Sequence, residues 1–137
     1  MERLEQMTVL RLADHMLFPT GSAQLTGDGS RVMDRLGSVL SRYPDHEIRV
    51  EGHTDNRPIR AEAKDRFASN WELSTARATT VVRKMINEFK LSPTRLVAVG
   101  RGEFMPVTSN ATTEGRSRNR RVEIHIAMPQ PLKEMLP

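Results

Sequence analysis

Two stretches with apolar residues at helical spacing, each set between short segments that alternate apolar and polar residues, constrain this chain more than any other feature. Val32, Met33, Leu36, Val39 and Leu40 recur on one helical face, and Tyr43-Pro44 closes that helix. Ala78, Val81, Val82, Met85 and Phe89 mark a second stripe, in a helix expected to start at Ser69 and to end near Lys90, ahead of Pro93. Around them lie four expected strands: residues 8–12, residues 47–51 with Ile48 and Val50 facing in, a well-buried strand over 95–99, and 121–126 with Val122, Ile124 and Ile126 inward. The order β-α-β-α-β-β, with right-handed crossovers, puts both helices on one face of a mixed four-stranded sheet. The expected fold is an α/β two-layer sandwich whose other face is more open.

The 137 residues suffice for one domain with a real core. It is expected over residues 8–127, with 1–7 as a lead-in and the proline-bearing 128–137 as a flexible tail. The formal net charge of +4 favours anionic partners: nucleic acid, anionic lipid or an acidic wall polymer. Aromatic residues make up only 4%, too few for the stacking platforms of a single-strand binder. The chain has no cysteine, which excludes thiolate catalysis, disulfides and zinc–thiolate sites. It has no apolar run long enough to span a membrane, so any anchor of the native protein is expected outside it.

Residues 52–68 form a long polar connection, and loops of that length in a small domain usually carry function. The connection begins with Gly52-His53-Thr54-Asp55 and runs into Ser69-Asn-Trp-Glu-Leu-Ser-Thr-Ala-Arg77-Ala78, where Ser69 and Glu72 have capping-box spacing. One segment ends a strand and the other opens a helix. Between them they can offer a carboxylate, Asp55, and a guanidinium, Arg77, to one pocket. Such a pair suits a zwitterion, since the carboxylate accepts from an ammonium while the guanidinium grips a carboxylate.

Together with Asn119-Arg120-Arg121-Val122-Glu123-Ile124, these motifs resemble the OmpA-like family of peptidoglycan-binding domains over nearly the whole chain. Phe18-Pro-Thr-Gly-Ser-Ala, Thr54-Asp-Asn-Arg-Pro-Ile59 and Asn110-Ala-Thr-Thr-Glu-Gly-Arg116 resemble the family's flagellar-motor stator branch, the MotB type. The resemblance implies a non-catalytic periplasmic anchor that holds the diaminopimelate of the wall's stem peptide through Asp55 and Arg77. It also implies that Thr54, Asn56, Asn70 and Leu73 line the pocket, with backbone amides near Thr54 and Asn56 adding donors. Arg120, Arg121 and Asn119 are expected to clamp the last strand against the ligand-site loops. For the stator branch it further implies a homodimer, a MotA-type channel subunit as partner, and an N-terminal inner-membrane helix outside this chain. Cell-wall anchors of type VI secretion systems and of outer-membrane proteins are the alternative. The gap between Asp55 and Arg77 is longer than in outer-membrane members, consistent with an insertion through 57–66.

Competing chemistries find less support. His53 and Asp55 lie two apart, as metal ligands can, but no third ligand emerges among His15, His46 and His125. Glu51 and Asp55 would share a strand face as a glycosidase pair needs, yet nothing marks a sugar cleft. No nucleophile elbow or phosphate-cradling loop is present, so no enzyme and no cofactor are expected. The arginine-rich segment 116–121 lacks interleaved aromatics, and nucleic acid is not an expected partner. Trp71 is expected to pack in the core or at its edge, not to stack on sugar.

Overall fold

The computed structural model describes residues 7–127, so the tail expected from 128 and the start of the lead-in lie outside the described residues. The elements are β1 (Met7–Ala13), α1 (Gly27–Leu40), β2 (Glu47–His53), α2 (Asn70–Phe89), β3 (Leu96–Gly100), α3 (Thr113–Asn119) and β4 (Arg121–Ala127). The four strands form one sheet in the order β1-β4-β2-β3. β2 and β3 are parallel, while β4 runs antiparallel to both its neighbours, β1 and β2. This is the expected two-layer sandwich with a mixed sheet.

Its core is the seam between helices and sheet. Ile48, Val50, Val122 and Ile124 meet Met33, Leu36 and Leu40 from α1 and Ala78, Val81 and Met85 from α2, with Leu17 and Phe18 sealing one end. Val39, assigned to the α1 stripe by its spacing, is instead 42% exposed, because the buried arc is narrower than the apolar pattern. Thr26 caps α1 by accepting from the Gly29 amide, and Ser69 caps α2 by accepting from the Trp71 amide while its hydroxyl donates to Glu72. Lys90, in the left-handed region at φ 59°, terminates α2.

Two expectations change. The strand expected to be well buried, β3, is a sheet edge: among the described residues it has a neighbour on one side only, and Val97 and Ala98 are exposed. A continuous apolar run does not distinguish an edge from a centre. The sheet face away from the helices is not open either. Glu51, His53, Arg121 and Glu123 are buried there in a charged layer. Glu51 and Glu123 face each other across the β2–β4 ladder. One oxygen of each is held by arginines: Arg49 and Arg101 at 2.8 and 3.3 Å on Glu51, and Arg121 and Arg11 at 2.6 and 3.2 Å on Glu123. The other oxygen meets a histidine, His53 at 3.1 Å from Glu51 and His125 at 2.9 Å from Glu123.

Candidate functional site

Strand ends and helix starts converge at one end of the sheet, where a cleft of about 660 Å³ opens. The end of β2 delivers Thr54 and Asp55. The first two turns of α2 deliver Asn70, Leu73 and Arg77, whose spacing of three and four puts all three on one helical face. The 3₁₀ turn after β1 adds Asp14, and the residue between α3 and β4 is Arg120.

The charged groups alternate in sign across the cleft. Arg120 donates to Asp55 at 2.7 Å and lies 3.7 Å from Asp14. Asp14 accepts from Arg77 at 2.8 Å. The remaining Arg77 contacts run to the Ser22 and Pro19 carbonyls, at 2.8 and 3.2 Å, and its guanidinium lies 4.9 Å from the Phe18 ring centroid. Arg77 is 3% exposed. Burial pushes its pKa below the ordinary arginine value, and the Asp14 carboxylate opposes that shift. Asp55 accepts a second bond, at 2.9 Å, from the Arg57 amide.

Asp55 and Arg77 therefore line one cleft, as do Thr54, Asn70 and Leu73, but each of the two charged groups already has an internal partner. Valency remains for a ligand, because each terminal nitrogen of Arg77 uses one of its two N–H groups and each carboxylate oxygen can accept twice. Asn70 bonds the Arg57 carbonyl at 2.9 Å and so ties the loop after β2 to α2. The backbone donors expected near Thr54 and Asn56 are a different matter. The Thr54 amide is spent on the Gly102 carbonyl at 2.9 Å, and exposed Asn56 does not line the cleft.

Of the expected clamp, Asn119 is fully buried and holds the 107–110 loop: it accepts from the Val107 and Thr108 amides and donates to the Thr108 carbonyl and Asn110. Arg121 binds Glu123 and the Met105 carbonyl on the far side of the sheet. Arg120, next to β4, ties that strand's start to the loop after β2 through Asp55, and it does so from inside the cleft. Asp14 escaped the sequence reading altogether. An acid just past a strand looks like any turn residue, and only the fold brings it 2.8 Å from a side chain 63 positions away.

The other candidates separate. Glu51 and Asp55, imagined as a glycosidase pair, face different environments: Glu51 lies in the arginine-bound layer and Asp55 in the cleft. His53 is likewise turned to the charged layer, where Glu51, His53 and Glu123 place ligand atoms within 4.8 Å of one another. The third member is thus a glutamate from another strand, not a histidine. Four guanidiniums already compensate its two carboxylates, which opposes adding a cation. Trp71 is not core. It is 49% exposed and stacks on Phe104, with ring centroids 5.0 Å apart.

Residues 17–120 match the OmpA family. The chain belongs to that family. It is 37% identical to motility protein B of Bacillus subtilis over 118 residues, covering 86% of this chain and 44% of that protein. The fold is similar to a MotB-like protein from Desulfovibrio vulgaris, with TM-score 0.84 and 34% identity over 91% of this chain and 75% of that one. It is also similar to the cell-wall anchor of the type VI secretion system of Pseudomonas aeruginosa, with TM-score 0.80 and 36% identity over 90% of this chain and 82% of that one. The chain spans about half the length of the curated relatives it matches. Among the described residues no helix is long and apolar enough to cross a membrane.

Proposed function

We propose that this domain is a non-catalytic peptidoglycan anchor and that its cleft binds the free zwitterionic end of diaminopimelate in the wall's stem peptide. The observation that carries the reading is the alternation Asp55–Arg120–Asp14–Arg77 in one cleft, which can receive an ammonium beside the carboxylates and a carboxylate beside the guanidiniums. The ammonium would sit on Asp55, and the carboxylate on the two free Arg77 N–H groups. Binding to a preformed network lowers the ordering cost that a flexible pocket would add. No step of bond making is involved, and no cofactor is needed.

In a whole protein of the motility type, the domain would stand in the periplasm and fix a stator to the wall. An N-terminal membrane helix, a MotA-type channel subunit and pairing as a homodimer would complete it. The likeness to the secretion-system anchor supports a second reading with the same wall chemistry and a different assembly. Deletion of the gene separates the two: it abolishes swimming under the first and leaves it intact under the second.

Co-sedimentation with purified sacculi tests the cleft. The wild-type domain pellets, while Asp55→Asn and Arg77→Lys, checked for folding by circular dichroism, stay in solution. Equal pelleting of all three would replace the pocket with general charge attraction.

A further inference from the structure

The charge balance of the cleft goes beyond a zwitterion. Among the described residues its lining holds two carboxylates, Asp14 and Asp55, and five guanidiniums. Two of these, Arg77 and Arg120, are paired with the two acids. The other three, Arg57, Arg60 and Arg116, have no carboxylate in ion-pair reach among the described residues. Among the described residues the Arg116 guanidinium bonds the Asn110 carbonyl and the Thr113 hydroxyl one turn back in α3, both uncharged. A zwitterion brings no net charge, so it would leave these three uncompensated in a concave site, where the walls focus their field.

Nor is the rim a floppy fringe. Arg57 and Arg60 are exposed, but they flank Ile59, which is buried with Ala63 and Leu73 in a small second core. The Asn70 amide fastens the Arg57 carbonyl at 2.9 Å, and the Arg57 amide is fastened to Asp55. The 52–68 connection is thus an anchored wall that brings two cations to a cleft that Arg116 also lines.

Building on the cleft reading above, we propose that the site selects wall peptides carrying free carboxylates beyond the zwitterionic end, and that Arg57, Arg60 and Arg116 read those carboxylates. The ligand class is a polyanionic peptide with one zwitterionic terminus. Its amidated counterpart is discriminated against because it keeps the zwitterion and loses the rim partners.

Titration calorimetry with two synthetic probes tests this: N-acetyl-γ-glutamyl-diaminopimelate with every carboxylate free, and the same dipeptide with its two carboxylates outside the zwitterionic end amidated. The free acid is expected to bind roughly tenfold tighter at low salt, from several weak, solvent-exposed ion pairs acting together. That ratio shrinks as salt rises. In the double variant Arg57→Gln/Arg60→Gln, with folding confirmed by circular dichroism, the ratio falls toward one. Equal affinity of the two probes for the wild type would overturn the rim and leave the zwitterion cleft standing. Binding of neither probe would overturn both.

Discussion

Arg77 keeps its charge inside the protein by spending one donor on Asp14 and two on main-chain carbonyls. Removal of Asp14 strands a buried guanidinium, so Asp14→Ala should cost roughly 3–5 kcal/mol of stability, measured by urea denaturation, as for other broken buried pairs. A cost under about 1 kcal/mol would mean that the carbonyls alone suffice. Across the sheet, Glu123 is held to about 2, below its ordinary 4.5. Burial pushes it up, but the hydrogen bonds from Arg121 and His125 and the Arg121 charge outweigh burial. Its folded value lies below its unfolded one, so its contribution is complete above about 4.5 and is lost as pH falls toward 2. Glu51 shifts in the same direction. The expected outcome is a thermal midpoint that drops between pH 4.5 and 2, worth about 1–3 kcal/mol once solvent screening of the partly exposed partners Arg11, Arg49 and Arg101 is allowed for. Glu123→Gln should flatten the slope in that window.

At the scale of elements, the cleft exists because α2 lies unusually close to β2 and β3. A Cβ on Gly52 would stand 2.2 Å from the Ser74 carbonyl oxygen, and one on Gly100 would stand 1.9 Å from the Thr75 hydroxyl. These paired glycines let the helix settle on two parallel strands and carry Arg77 to the strand ends. Gly52→Ala should push α2 outward and destabilise by about 1–3 kcal/mol or more, since the obstacle is main chain. Its affinity for sacculi should fall as well, because Arg77 moves while Asp55 stays on β2. A stable Gly52→Ala variant that binds normally would show that this close approach does not position the site. Ser69→Ala, which removes the α2 cap, should cost about 1 kcal/mol in thermal unfolding with little effect on sacculus binding.

For the whole molecule, the basic surface and the cleft make separable predictions. The chain carries +4 overall, so loose attraction to an anionic wall is expected at low salt. Such attraction fades above a few hundred millimolar salt, whereas contacts with a guanidinium as buried as Arg77 are screened much less. Pelleting with sacculi should therefore weaken but persist at about 0.5 M salt, where the Debye length is only a few ångströms. Complete release there would assign the binding to the surface alone. The sequence by itself determined the two-layer sandwich, since the change of apolar period from two to 3.6 and back reports which side of each element must leave water. It also marked Asp55, at the end of β2, and Arg77, in α2, as residues able to share one pocket, and both line the cleft. Only the tertiary structure decided that Arg77 is already bound to Asp14, that Arg120 stands in the cleft, that β3 is an edge, and that Glu51 and Glu123 share a buried charged layer. Those facts depend on which strands become neighbours, and β4 comes between β1 and β2 through a pairing that no local pattern encodes.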